Sequence, residues 1–258
     1  MNARATPPPL GADAPREHPW RVSRRQAADI QRRLATLVVQ APLPASGPGS
    51  PLVAAGLDAA YALDGSAMWA AAVAMDRGLR VLDVAIVEGE PDSPYAPGYL
   101  AFREGRLLLA ALRALRSAPG VVFVDGHGVV HERGLGLASH LGVLAGVPTV
   151  GVAKTPFHAI DRSPGPERGE ALVLTKEWGA HGAAVRLKSR SKQVYVSPGH
   201  LTDLDSAIAL ALEWSTGRRR VPEPLALAHT ASVLARNAAR GVTEAAAALR
   251  ALEEGRPR

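Results

Sequence analysis

The sequence contains 258 residues, 47% of them hydrophobic and 21% charged, which is typical of one large globular domain with a substantial core. It has no cysteine, which excludes disulfides and thiolate metal sites, and no apolar run that could span a bilayer. The net charge of +6 favours a polyanionic partner, and because no secretory core is visible we expect a cytoplasmic protein without membrane contact.

The first half of the chain is predicted to contain a helix and a group of hairpin-linked strands. Residues 1–19 are Pro-rich and aperiodic, so we expect a disordered arm. Ser23 and Gln26 form a capping-box pattern that predicts the start of a helix, and a loop follows. Asp64-Gly65 is typical of a hairpin turn. The predicted strands are 52–57, 68–75 and 80–87.

The second half alternates between helices and strands. After a helix around Glu104, strands are predicted at 121–124, 148–153, 183–187 and 193–196. Helices are predicted at 137–144, 204–214 and 225–239, and residues 155–182 are predicted to be a polar loop. This order predicts an α/β fold in which a mixed β-sheet is flanked by helices. We expect a single domain over residues 20–240, then a peripheral C-terminal helix and tail over 241–258.

Glu104 is a carboxylate on the apolar face of its predicted helix. Leu100 and Leu108 lie one helical turn before and after it, and Leu107, Ala111 and Leu115 continue the stripe. Burying an ionised carboxylate without a partner costs several kcal/mol, roughly 2–7 even for a neutral polar group. We therefore expect a cation to meet Glu104, although a salt bridge alone would also satisfy it.

Two aspartates follow apolar runs that read as buried strands. Asp58 follows PLVAAGL, and Asp125 follows VVFV. Side chains at such strand ends point into a cleft, where they can converge with Glu104. Three hard oxygen donors without cysteine suit Mg²⁺, with Mn²⁺ as a substitute. A turn former at each aspartate is the alternative interpretation for any one residue alone.

Lys154 and His229 are further candidates for catalysis. Lys154 follows the predicted strand PTVGVA, where a cation can balance the charge of a scissile phosphate. His229 lies in the predicted helix EPLALAHTASVLARNAAR and can position a nucleophile or contact a metal through water. A surface lysine and a packing histidine are the alternatives.

The loop PYAPG carries an exposed aromatic candidate. Pro94 and Pro97 stiffen the loop that presents Tyr95. A rigid aromatic side chain can enter a base stack and fill the gap left by an extruded base. The alternative is an ordinary proline-rich turn with a surface tyrosine.

Other polar segments are less specific. His127, His131 and His140 resemble a zinc cluster in composition, but their spacing matches no zinc signature. The basic segment KSRSK, residues 188–192, and the turn in VYVSPGH, residues 194–200, can contact phosphate or can be solvated turns.

Together these segments resemble the endonuclease V family, the deoxyinosine 3′-endonucleases. The matching segments are GLDAAY (56–61), PYAPGYLAFREG (94–105), VDGHGVVHERGLGLASHLGV (124–143), PTVGVAK (148–154), VYVSPGH (194–200) and VPEPLALAH (221–229). The likeness extends over about residues 19–235, and the order of the segments makes it specific.

The resemblance implies a ribonuclease H-like fold and Mg²⁺-dependent DNA repair. Family members recognise hypoxanthine and cut the second phosphodiester bond on its 3′ side, leaving a 3′-hydroxyl and a 5′-phosphate. By motif, Asp58, Glu104 and Asp125 match the metal-binding carboxylates, while Lys154 and His229 match active-site positions. Tyr95 matches the wedge tyrosine. Further residues fall where the family builds its base pocket: Gly98, Leu100, Gly126, Leu137 and Phe157.

Several alternatives stay open at this point. An inosine-specific ribonuclease is one, because a flipped base looks alike in DNA and RNA. A nuclease of the same fold without a base pocket is another, and a nucleic-acid-binding module with an inactive metal site is a third. The expected partner is inosine-containing DNA or RNA, and we expect a monomer.

Overall fold

The computed structural model describes residues 17–45, 47–175 and 181–254. Across these residues eight strands form one sheet with the order β3-β2-β1-β4-β5-β8-β7-β6. The strands are β1 (Val53–Tyr61), β2 (Met68–Asp76), β3 (Val81–Gly89), β4 (Val121–Val124), β5 (Thr149–Ala153), β6 (Ala171–Thr175), β7 (His181–Val185) and β8 (Val194–Pro198). The sheet is mixed, because β1, β4 and β5 run parallel while the outer strands pair antiparallel.

Helices cover both faces of the sheet, which confirms the predicted α/β architecture. They are α1 (Arg24–Ala35), α2 (Leu100–Ala114), α3 (Leu137–Ala145), α4 (Leu204–Glu213), α5 (Glu223–Ala239) and α6 (Thr243–Glu253). One core contains the inner sides of α1, α2 and α3, and a second lies between the sheet and α4 and α5. The Ser23–Gln26 capping box begins α1 as predicted. No helix in the described ranges is both long and apolar enough to cross a bilayer.

The structure corrects two sequence predictions. Strand β1 does not end before Asp58 but continues to Tyr61, because it pairs with β2 over its whole length. Strand β6 lies inside the segment predicted to be a polar loop. Its short run alternates between partly covered and exposed residues at the sheet edge, so it lacks the apolar signal of the central strands.

Only residues 17–19 of the predicted N-terminal arm lie in the described part of the chain. Residues 1–16 lie outside the described part of the chain, as do residues 255–258 of the predicted tail. His18 is described and buried, and its Nε2 lies 2.6 Å from Nε2 of His140 on α3. Trp20 stacks on the same ring. The packed chain therefore begins before residue 20, held by an aromatic cluster that composition alone does not reveal.

Candidate active site

Asp58 and Asp125 are brought together by the register of two parallel strands. Leu57 pairs with Val124, the last residue of β4, and the amide of Asp125 donates to the Leu57 carbonyl at 3.1 Å. The residues that follow this pair are Asp58 and Asp125, so the two carboxyl groups are neighbours. Burial raises the pKa of Asp125, and the charge of Asp58 raises it further.

The opposite faces of β1 present different partners. Side chains alternate along a strand, so Gly56 and Asp58 face α5 while Tyr61 faces the side of α2. At Gly56 the backbone of α5 approaches so closely that a Cβ would overlap Pro224. This close approach places His229 beside the sheet, and its Nδ1 lies 2.6 Å from Oδ2 of Asp58. That hydrogen bond raises the pKa of His229 more than partial burial lowers it.

The third carboxylate, Glu104, lies on α2. The hydroxyl of Tyr61 donates to its Oε1 at 2.6 Å, so the partner of this carboxylate is a hydroxyl group, whereas we expected a cation. Burial raises the pKa of Glu104 to about 7. The Tyr61 hydrogen bond lowers it, whereas the charges of Asp58 and Asp125 raise it. The charges of both aspartates therefore act on Glu104, and we call these three carboxylates the carboxylate cluster.

Lys154 supplies the positive charge of the site. It follows β5, and its Nζ forms an ion pair with Oδ2 of Asp125. Burial lowers the pKa of Lys154, but the charge of Asp125 and the hydrogen bond to it more than offset this, so the pKa is raised. Lys154 therefore remains an ammonium group beside the carboxylate cluster.

The carboxylate cluster fits a hard divalent cation by donor chemistry. The charges of Asp58 and Asp125 raise the pKa of Glu104, and the charge of Asp58 raises the pKa of Asp125, so a cation would relieve this repulsion. In the present arrangement their oxygens bond to His229, Tyr61 and Lys154. Among the described residues, no three His, Asp or Glu side chains are already placed as a ligand set. Binding an ion would therefore require these side chains to exchange partners.

A cavity of about 590 Å³ opens next to this cluster. Both Asp125 and Lys154 belong to its wall, so it is continuous with the acidic site. The other predicted site residues in its wall are Tyr95, Pro97, Gly98, Leu100, Gly126, Leu137 and Phe157. Asp58, Glu104, His229 and Pro94 are outside this wall. The structure thus brings most of the predicted base-pocket residues into the wall of one cavity, together with Asp125 and Lys154.

The carbonyl of Gly98, in the cavity wall, is contacted by three side chains that the sequence did not suggest as part of the pocket. The Gly98 carbonyl accepts hydrogen bonds from Gln31 at 3.0 Å and Arg133 at 2.9 Å, and His131 Nε2 lies 3.0 Å away. Gly98 has a φ of 76°, which favours glycine, and a Cβ there would collide with Glu132. Gln31 is remote in the sequence, so only the tertiary fold identifies its contact.

Another part of the cavity wall contains Gly126, Leu137 and Phe157. A Cβ on Gly126 would lie 3.2 Å from Leu137, so glycine leaves room at this wall. The Phe157 ring packs against His127 and His131 with centroids 5.5 and 5.1 Å apart. These two histidines therefore shape the pocket.

Tyr95 is 67% exposed at the rim of the cavity, as its predicted role requires. The turn in residues 194–200 is buried, which contradicts the hypothesis that it contacts phosphate. Ser197 instead accepts a hydrogen bond from the amide of Gly128 at 2.8 Å. This turn supports the loop that follows Asp125.

Comparison with known proteins places the chain in one family. The family model "Endonuclease V" matches residues 33–230. The endonuclease V of Streptomyces avermitilis is 43% identical over 206 residues, which cover 79% of this chain and 88% of that protein.

Two solved structures are also similar. The Bacillus subtilis endonuclease V has a TM-score of 0.80 at 28% identity, covering 87% of this chain and 97% of that one. The catalytic domain of human endonuclease V has a TM-score of 0.78 at 31% identity, covering 84% and 97%. The fold is therefore ribonuclease H-like, and the chain belongs to the endonuclease V family.

Proposed function

We propose that this endonuclease uses Mg²⁺ to hydrolyse the second phosphodiester bond on the 3′ side of a hypoxanthine base, leaving a 3′-hydroxyl and a 5′-phosphate. Membership of the endonuclease V family makes it a nuclease of DNA repair that acts on deaminated adenine. The observation that carries the proposal is that Asp125 and Lys154 belong both to the carboxylate site and to the wall of the cavity. These two residues join a pocket for a base to a cluster suited to phosphate chemistry.

The metal would be held by Asp58, Glu104 and Asp125. A bound divalent ion supplies Lewis-acid stabilisation of phosphate oxygens and makes a water more acidic. The protein's own part is to hold Asp58 and Asp125 adjacent through the strand register, while the Tyr61 hydrogen bond partly opposes the rise in the pKa of Glu104. Mn²⁺ has the same preference for oxygen ligands and is expected to substitute.

Lys154 and His229 would act on the phosphate and the water. The Lys154 ammonium group can neutralise charge that develops on the scissile phosphate. Nδ1 of His229 is fixed by Asp58, which leaves Nε2 as the ring nitrogen that can exchange a proton with water. Because 59% of the His229 side chain is exposed, solvent can reach this nitrogen.

The cavity would receive the flipped base while Tyr95 fills the gap in the stack. Gly98 and Gly126 line the cavity and carry no side chain, so a planar base could approach their backbone closely. A tight wall rejects guanine because guanine carries an additional exocyclic amine. Backbone donors reject adenine because it has an amine where hypoxanthine has an acceptor.

Cleavage of matched oligonucleotides tests this function directly. One set carries deoxyinosine, a second carries inosine in RNA, and a third carries adenine at the same position, each with Mg²⁺ and with a chelator. We expect metal-dependent cleavage at the second 3′ bond of the deoxyinosine strand. Asp125→Ala should abolish cleavage and retain binding. Equal cleavage of the adenine strand would contradict base recognition, and full activity of Asp125→Ala would contradict the metal assignment.

A further inference from the structure

A cluster of exposed basic residues lies beside the active site on two packed segments. One segment is the hairpin between β7 and β8, and the other is the loop between α4 and α5. Ser215 Oγ lies 3.5 Å from the Leu187 carbonyl, and Arg220 Nε donates to the Lys192 carbonyl at 3.0 Å. We call the exposed cations of these segments, Lys188, Lys192 and Arg218, the basic rim.

The charges of the basic rim are not neutralised by the protein. Two neighbouring cations have acidic partners, Arg190 with Glu167 at 3.7 Å and Arg219 with Glu223 at 3.3 Å. Within residues 17–45, 47–175 and 181–254, the three rim side chains form no ion pair. A set of unpaired cations on one surface creates a positive potential that attracts a polyanion.

Arg220 connects the basic rim to the active site. Its Nη2 donates to the Gln193 carbonyl at 2.8 Å and to the Lys154 carbonyl at 3.2 Å. Lys154 thus has the rim on its backbone side, while its side chain reaches Asp125 and the base cavity. Lys154 is therefore the residue that connects the basic rim, through Arg220, with Asp125 and the wall of the cavity.

We infer that the basic rim binds backbone phosphates of the substrate on the 3′ side of the cleaved bond. The inference rests on the proposed function, because a base in the cavity and a scissile phosphate at Asp125 set the direction of the strand. Beyond that phosphate the strand continues towards Lys192 and Arg218. The contact is independent of sequence, because phosphates carry no base identity.

Equilibrium binding in chelator, which prevents cleavage, tests the inference. The double variant Lys192→Ala with Arg218→Ala is compared with Arg240→Ala with Arg250→Ala. The control removes the same charge from the C-terminal end of α5 and from α6, which packs against β3 at the sheet edge far from β7 and β8. Neither rim substitution alters the carbonyl that Arg220 contacts. Affinity for an inosine-containing duplex and for an undamaged duplex is measured at several salt concentrations.

We expect the rim variant to lower the slope of log affinity against log salt by about two, because each lost phosphate contact removes about 0.9. The control should leave the slope unchanged. Shortening the 3′ arm of the duplex should weaken wild-type binding more than rim-variant binding, whereas shortening the 5′ arm should affect both equally.

An unchanged slope in the rim variant would overturn the inference. The inference would also be overturned if the difference in affinity between wild type and rim variant depended on the length of the 5′ arm and not of the 3′ arm. Wild-type protein that fails to cleave inosine strands would instead refute the proposed function. The salt dependence on undamaged duplex would still report on the rim in that case, so the two failures are distinguishable.

Discussion

Removing the hydroxyl of Tyr61 should change the pH at which the enzyme binds its metal. Burial raises the pKa of Glu104 to about 7, and the Tyr61 hydrogen bond at 2.6 Å opposes that rise. A protonated carboxylic acid is a poor metal ligand, so metal affinity falls as pH drops through this pKa. Tyr61→Phe keeps the ring and deletes the donor, which should raise the pKa further.

The size of this change follows from the strength of the lost hydrogen bond. A hydrogen bond to a charged group contributes about 1.5–3 kcal/mol, and one pKa unit corresponds to about 1.36 kcal/mol. Glu104 retains some contact with solvent, which replaces part of the lost interaction. We therefore expect the metal-affinity curve of Tyr61→Phe to move by about one pH unit towards alkaline pH.

The assay is a titration of Mn²⁺ or Mg²⁺ across the neutral pH range, read both by cleavage and by the metal-induced rise in melting temperature. Tyr195→Phe is the matched control, because it removes a hydroxyl on β8 that accepts a hydrogen bond from the Gln193 side chain at 3.2 Å. The reasoning is refuted if both variants show the wild-type dependence of metal affinity on pH.

Three further substitutions test the packing and the pocket. Gly56→Ala would place a Cβ against Pro224 at the start of α5, so urea unfolding should show a loss of about 1–3 kcal/mol, and unchanged stability would contradict the close approach. Gly126→Ala would add a methyl group 3.2 Å from Leu137 in the cavity wall, so we expect inosine strands to bind more weakly, and unchanged binding would contradict a role of this wall in base recognition. Tyr95→Ala should weaken lesion binding far more than cleavage at saturating enzyme, and the opposite split would exclude a wedge.

The pH dependence of folding gives one more prediction, checked by melting curves without metal. The folded-state pKa of Glu104 is raised above its ordinary value of 4.5 to about 7, so its protonated form favours the native state. Its contribution is complete below the unfolded pKa and is lost as pH rises through about 7. Glu104→Gln should therefore melt higher than wild type in mildly alkaline, metal-free buffer, and a lower melting temperature would contradict this.

The central strands and helices could be predicted because their signals are local. Apolar runs such as Val121–Val124 and the capping box at Ser23 are local features of the sequence, and both agree with the structure. Strand β6 has no such signal, because it is a short edge strand. The length of β1 beyond Asp58 was missed for a different reason: its pairing with β2 extends the strand past the apolar run.

The candidate site shows the same division between local and long-range information. Strand-end position suggested that Asp125 and Lys154 face a cleft, and both line the cavity. The contacts of Gln31 with Gly98 and of Tyr61 with Glu104 could not be predicted, because each joins residues far apart in the chain. Their identification requires the packing of α1 and α2 against the sheet.

The most direct measurement of the central claim is anomalous diffraction from crystals soaked in Mn²⁺. The account predicts an anomalous peak in contact with the carboxyl groups of Asp58, Glu104 and Asp125, and its loss in Asp125→Asn. A peak bound elsewhere, or saturating Mn²⁺ that leaves these three side chains on His229, Tyr61 and Lys154, would contradict it.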